Sequence, residues 1–153
     1  MSGATPISEG RAMAREVVEF RGHPMVRSSH PTTIEITTED YLTENGDCII
    51  GVRASKGCAG LSSALKERLS TGGSRVTLKI AAGALSFIVR AQGDPRLTLT
   101  DPHEMVVRKS DYVSDRTLAV RADASSRDLP REIVRLLKNP ATRGTLEIEV
   151  EQG

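Results

Sequence analysis

The stretch Arg75-Val76-Thr77-Leu78-Lys79-Ile80 returns as Arg143-Gly144-Thr145-Leu146-Glu147-Ile148, at an offset of 68. In the first copy apolar and polar side chains alternate, which is the period of a half-buried β-strand. Recurrence at a fixed offset marks a repeated unit, and the match extends outward from these two strands. The same offset carries Val52-Arg53-Ala54 onto Val120-Arg121-Ala122, Asp47 onto Asp115, and Leu61 and Leu69 onto Leu129 and Leu137. Nearer the N-terminus the offset becomes 71. Gly22-His23-Pro24 then meets Gly93-Asp94-Pro95, His30-Pro31 meets Asp101-Pro102, and Asp40-Tyr41 meets Asp111-Tyr112. A single three-residue deletion in the second copy reconciles the two offsets. The chain reads as an internal duplication, with repeats over about 16–80 and 86–150.

Each half predicts the same elements. A first strand (Glu16–Arg21; Ser86–Ala91) leads into a Gly-x-Pro turn, where Gly permits unusual φ and Pro fixes φ at about −65°. A second strand follows (Thr33–Thr37; Glu104–Arg108). Next comes a near-continuous apolar run (Asp47–Arg53; Asp115–Arg121) expected to be buried on both faces. Leu61, Leu65 and Leu69, with Ala64, then lie on one face at helical spacing, as do Leu129, Ile133, Leu136 and Leu137. Ser62 is placed to cap the first helix, and Asp128 with Pro130 marks the start of the second. Gly72-Gly73 and Asn139-Pro140 end the helices, and a closing strand completes each half. The expected fold is β-rich α+β: a duplicated ββ-β-α-β unit packed about a pseudo-twofold, as a barrel or as two packed sheets. Residues 1–12 are expected to be a disordered lead-in to a single domain over 13–153.

Composition narrows the function. A hydrophobic content of 38% and a charged content of 27% are those of an ordinary soluble protein, and two Phe, two Tyr and no Trp leave the core to aliphatic side chains. The formal net charge of +1 supplies no global drive toward nucleic acid or an anionic membrane. No apolar run reaches membrane-spanning length, and residues 1–10 have no apolar stretch of signal-peptide type. Cys48 and Cys58 are neither in CxxC spacing nor numerous enough for a disulfide framework, which points to a reducing, cytosolic setting.

Two resemblances attach to these residues. The Asp-Tyr turn followed by Gly46-Asp47 entering an apolar strand resembles the Gly-Asp box of cradle-loop barrels, although here a helix follows that strand. Phe20-Arg21-Gly22-His23-Pro24 and His30-Pro31-Thr32-Thr33-Ile34-Glu35-Ile36-Thr37 are distinctive together. So are Gly46-Asp47-Cys48-Ile49-Ile50-Gly51-Val52, Arg108-Lys109-Ser110-Asp111-Tyr112 and Arg116-Thr117-Leu118-Ala119-Val120-Arg121-Ala122-Asp123. From about Glu16 onward the chain resembles an archaeal family catalogued as domain of unknown function 371. The resemblance implies an archaeal, cytosolic, one-domain protein and no particular activity. One departure is Asp123-Ala124, where the family pattern has Asp-Lys.

The candidate chemistry lies where the halves differ. His23 and His30 flank Arg27, and their counterparts are Asp94 and Asp101. Around a pseudo-twofold, two His and two Asp could hold a divalent metal or carry out acid–base chemistry. As the blander alternative, all four serve turns beside Pro24, Pro31, Pro95 and Pro102. Lys56 sits in the small-residue loop Ala54-Ser55-Lys56-Gly57-Cys58-Ala59-Gly60 before a helix, a setting suited to an anion or to plain connection. Asp40, Asp47, Asp111 and Asp115, present in both halves, read as turn and strand-end hydrogen bonders. No Ser-His-Asp order, glycosidase carboxylate pair or dinucleotide fingerprint stands out, and no cofactor is assigned.

The leading reading is a small-ligand or anion-binding domain, or an enzyme, with a site between the halves. That site is built from His23, Arg27, His30 and Lys56 with Asp94 and Asp101 facing them. The alternative is a nucleic-acid or protein interaction module resting on Arg21, Arg27, Arg53, Lys56 and Arg108-Lys109. Near-zero net charge and few aromatics for base stacking stand against that alternative.

Overall fold

The computed structural model describes residues 13–42 and 46–152, and the lead-in expected over 1–12 lies outside them. The first half runs β1 (Ala14–Arg21), β2 (Thr33–Thr37), β3 (Ile49–Gly51), α1 (Ser63–Leu69) and β4 (Arg75–Ala82). The second runs β5 (Leu85–Gln92), β6 (Glu104–Arg108), β7 (Thr117–Ala119), α2 (Arg131–Leu137) and β8 (Arg143–Glu151). Short 3-10 turns, Cys58–Gly60 and Ser126–Asp128, precede the helices. The protein is α+β and mostly strand.

Two four-stranded sheets form. The first, ordered β1-β8-β4-β5, is antiparallel throughout. The second, ordered β3-β2-β6-β7, pairs β2 with β6 antiparallel and carries β3 and β7 as parallel edge strands. At each side one bridge joins the sheets, Arg21 to Val52 and Gln92 to Val120. Among the described residues no continuous ladder closes the sheets, so the barrel expectation gives way to two sheets joined at their corners.

Alternation explains the strands. In β4, Val76, Leu78 and Ile80 are buried while Arg75 and Lys79 face water; in β8, Leu146, Ile148 and Val150 do the same. One contiguous apolar cluster draws on both sheets and both helices, including Phe20, Ile50, Leu65, Leu78, Leu118, Ile133 and Ile148. Phe20 fills the space between the sheets: a Cβ added to Gly51 or to Gly144 would overlap its ring. Those two positions must be glycine because the ring occupies the room a side chain would need.

The apolar runs Asp47–Arg53 and Asp115–Arg121 make strands of only three residues each. Val52 and Val120 leave the second sheet to bridge the first, and Arg53 and Arg121 turn the chain with φ of 53° at both positions. A corner, not a long strand, is what these runs encode. Leu65 and Leu69 of α1 are buried as expected, but Ala64 is exposed. In α2 the buried set is Ile133, Val134 and Leu137, with Leu136 turned toward solvent. Ser62 caps α1, its Oγ accepting from the Leu65 N–H at 3.2 Å. Pro130 takes the capping position of α2, while Asp128 instead closes a capping box with Ser125 around the preceding 3-10 turn.

Candidate functional site

Each half sends its first loop along the helix of the other half. Residues 22–30 follow α2. The Gly22 N–H donates to Thr142 O at 3.1 Å, the His23 N–H to Leu137 O at 2.8 Å, and the Arg127 N–H to His30 O at 3.0 Å. Residues 93–101 follow α1 in the same way: the Gly93 N–H reaches Ser74 O at 3.2 Å, the Asp94 N–H reaches Leu69 O at 2.9 Å, and the Ala59 N–H reaches Asp101 O at 2.8 Å. Close approach makes glycine obligatory where each loop begins. An added Cβ would overlap the backbone oxygens of Leu137 and Asn139 at Gly22, and that of Leu69 at Gly93.

The six residues singled out from sequence fall into three settings. His23 and His30 sit at the two ends of the loop along α2, with Arg27 between them. His23 Nδ1 accepts the Met25 N–H at 3.0 Å, and His30 Nδ1 accepts the N–H groups of Thr32 and Thr33 at 3.1 and 3.2 Å. Asp94 and Asp101 sit on the other loop, along α1, and make the matching bonds. Asp94 Oδ1 accepts the Arg96 N–H at 2.9 Å, and Asp101 Oδ1 accepts those of His103 and Glu104 at 2.8 and 2.9 Å. An imidazole lone pair in one loop therefore holds the turn that a carboxylate oxygen holds in the other. Asp94 is also gripped by the Arg96 guanidinium, and these hydrogen bonds, with Arg121 nearby, hold its carboxyl down at about 2. Lys56 belongs to neither loop: its ammonium pairs with Glu16, whose other oxygen accepts the Ser62 N–H at the start of α1. Burial works against the charge of Glu16, yet Lys56 and Ser62 outweigh it and keep that carboxyl below its ordinary range.

Between residues 22–30 and α2 lies an open groove of ≈ 460 Å³ lined by Arg27, Arg131, Val134, Arg135 and Lys138. Among the described residues four cations and one aliphatic side chain line it, and no carboxylate does. Two of the cations are pinned by neutral partners. Arg131 donates to the carbonyls of Ser28 at 2.9 Å, Ser126 at 3.1 Å and Leu129 at 2.7 Å, and Lys138 Nζ donates to Val26 O at 2.5 Å. Carbonyl oxygens satisfy these donors without cancelling their positive charge. At the corresponding junction the counterpart positions, at offsets of 71 and 68, are Thr98, Ser63, Lys66, Glu67 and Ser70.

A second cavity, of ≈ 440 Å³, opens beside β4, β5 and β8 and mixes Arg75, Arg90 and Arg121 with Glu149 and Glu151. Acidic partners stand beside its cations, Glu151 beside Arg75 at 3.4 Å and Asp94 beside Arg121 at 3.5 Å. Of the two cavities, only the groove along α2 has a lining of one sign of charge.

Sequence reasoning missed a polar cluster at the centre of the second sheet. Glu35 of β2 is only 5% exposed and pairs in register with Val106 of β6. Its Oε1 accepts the Cys48 thiol at 3.3 Å, and its Oε2 lies 3.7 Å from Arg116, which also holds Glu104 at 2.6 Å. Burial, reinforced by the charge of Glu104, pushes the Glu35 carboxyl up to about 7. Burial and Glu35 push the Cys48 thiol up to about 12, so it is a hydrogen-bond donor at neutral pH and not a thiolate. Beside them Arg108 donates to Thr117 Oγ1 at 2.8 Å and Ser114 Oγ at 3.2 Å and lies over the Tyr112 ring, 4.9 Å from its centroid. The signal was in the sequence offsets: at 71 Glu35 falls on Val106, and at 68 Cys48 falls on Arg116. Among the described residues no group of three His, Cys, Asp or Glu side chains is arranged to hold a metal ion, and no helix is long and apolar enough to cross a membrane.

These features are those of an α+β protein with a basic groove between a loop of one half and a helix of the other. The chain belongs to the family described as Domain of unknown function (DUF371), whose model matches residues 18–151. It is also 39% identical over 122 residues to an uncharacterised protein of Methanocaldococcus jannaschii, a match covering 80% of this chain and 90% of that protein.

Proposed function

We propose that the chain is a cytosolic, single-domain protein built from two copies of one unit, and that it binds a small anionic ligand in the groove along α2. The observation that carries this reading is the lining itself: Arg27, Arg131, Arg135 and Lys138 border one groove, with no carboxylate among its described lining residues. Like charges converge at a cost, and that cost is recovered when an anion enters. The position supports the expected site between the halves, since Arg27 comes from one and the three other cations from the other. Of the residues named from sequence, Arg27 lines the groove, and His23 and His30 fix the ends of the loop that forms its wall. Lys56, Asp94 and Asp101 take no part in it.

Support for the duplication comes from spans and pairings. The second half's elements start at an offset of 71 from the first half's through β2 and β6, and at an offset of 68 from β3 and β7 onward. At the seams, Glu35 pairs with Val106 at the first offset and Lys79 with Glu147 at the second, as a twofold through both sheets requires. The two free thiols, Cys48 and Cys58, suit a reducing compartment.

The test is calorimetric titration with phosphate, pyrophosphate and citrate, on the wild-type protein and on Arg27→Ala and Arg135→Ala variants. Saturable binding, weakened about fivefold or more by each variant with circular dichroism unchanged, is the expected outcome. Unchanged binding in both variants would reject the groove. A nucleic-acid module would instead bind an oligonucleotide better than any small anion, with affinity falling steeply as salt rises.

A further inference from the structure

We infer that the groove along α2 takes a chain of linked phosphates, a triphosphate, in preference to a single phosphate; this rests on the anion-binding reading above. Three features argue for length and charge together. Arg131, Arg135 and Lys138 stand at positions i, i+4 and i+7 of one helical stretch, which places them on one face. Their spread along the axis is about 10 Å at 1.5 Å per residue, longer than one phosphate and suited to an extended triphosphate. Arg27 flanks this row from the opposite wall of the groove.

Charge leads to the same ligand. Four cations line the groove. A lone phosphoryl group carries about 1.5–2 negative charges at neutral pH, fewer than the four positive charges that line the groove. A triphosphate adds two linking phosphates of about one charge each and comes to roughly four.

Rigidity is the third feature. Arg131 is clamped by carbonyls of Ser126 in the 3-10 turn, of Leu129 just after it and of Ser28 in the facing loop, and Lys138 by the carbonyl of Val26. Cations already held in place lose little side-chain freedom when the ligand arrives. Glu132, one residue beyond Arg131, does not line the groove. The corresponding junction along α1 has Ser63, Glu67, Ser70 and Thr98 where the groove has its four cations, so only one of the two junctions carries the basic row.

The linked phosphates could come from inorganic triphosphate or from a nucleotide, and the experiment separates the two. Orthophosphate, pyrophosphate, triphosphate and adenosine triphosphate are titrated calorimetrically at one fixed ionic strength into the wild-type protein and into Arg135→Glu and Glu67→Ala variants. Affinity is expected to climb from ortho- to pyro- to triphosphate by about tenfold per added phosphate. Arg135→Glu should lower triphosphate affinity by about tenfold or more, and Glu67→Ala should leave it unchanged. Tighter binding of the nucleotide than of inorganic triphosphate assigns a nucleotide, and equal binding assigns the phosphate chain alone. Orthophosphate binding as tightly as triphosphate overturns this inference and leaves the small-anion reading standing, whereas no binding of any anion removes both. A single-stranded oligonucleotide binding more tightly than triphosphate also overturns it.

Discussion

The two loop–helix junctions share a backbone plan and differ in charge. Along α1 and along α2 corresponding carbonyls receive corresponding N–H groups, from Gly93 and Asp94 in one case and Gly22 and His23 in the other. Turn positions are held by carboxylates in one loop and imidazoles in the other. The side chains at the groove positions diverge, polar and mixed along α1 and mainly basic along α2. Main-chain hydrogen bonds and glycine contacts carry the architecture, and that leaves the outward positions available for binding. Two junctions built alike thus present different chemistry.

The largest expected effects test whether the junctions are mechanically equal. Leu69 and Leu137 are fully buried at corresponding points of the two helices. Leu69→Ala and Leu137→Ala should each cost roughly 2–5 kcal/mol in chemical denaturation, and the two losses should agree within about 1 kcal/mol. A large disparity would show that one half supports the core and the other merely leans on it. Gly22→Ala and Gly93→Ala come next, at roughly 1–3 kcal/mol each, because the new methyl would press on backbone carbonyls. Near-neutral substitution at either position would mean that its loop does not dock as closely as its partner's.

Glu35 has Val106 at the matching offset and gives a pH signature. Its folded-state value of about 7 stands above the ordinary 4.5. Between those values the folded protein retains a proton that the unfolded chain has released, so Glu35 makes stability fall as pH rises through that window. Around it stand Cys48, Glu104 and Arg116, with Arg108 beyond. Glu35→Gln should remove this slope, which amounts to roughly 1–3 kcal/mol between about pH 4.5 and 8. Urea melts at both pH values will show it, and parallel pH profiles for the two proteins would count against a protonated Glu35. The smallest effect concerns the turn caps. His30→Ala should lose about 1 kcal/mol, while His30→Asp, which copies the partner loop's residue, should lose less than half of that. Equal thermal shifts for the two variants would mean that the imidazole does more than accept two N–H bonds.

Much of the architecture was legible because it is local. Alternation in Arg75–Ile80 and helical spacing in Leu61–Leu69 are properties of near neighbours, and β4 and α1 appear where those periods place them. The apolar runs at Asp47–Arg53 and Asp115–Arg121 misled, because a chain turning a corner between two sheets is as apolar as a central strand. Ala64 and Leu136 were misplaced for a related reason: a seven-residue helix seated between a loop and a sheet has too few turns for its apolar stripe to be unambiguous.

The order of elements, their offsets and the residues that would bury themselves were determined by the sequence itself, since each depends on residues a few positions apart. The site depended on separations that no local pattern encodes. Arg27 meets Arg131 across 104 residues because β1 and β8 pair and bring the loop after one strand against the helix before the other. Glu35 stands between Ile34 and Ile36, at the polar position of an alternating stretch. It became a buried acid only when the second sheet set it opposite Val106 and Cys48 and Arg116 closed over it. Strand pairing alone decides which distant charges share a neighbourhood, and desolvation then decides what those charges can do.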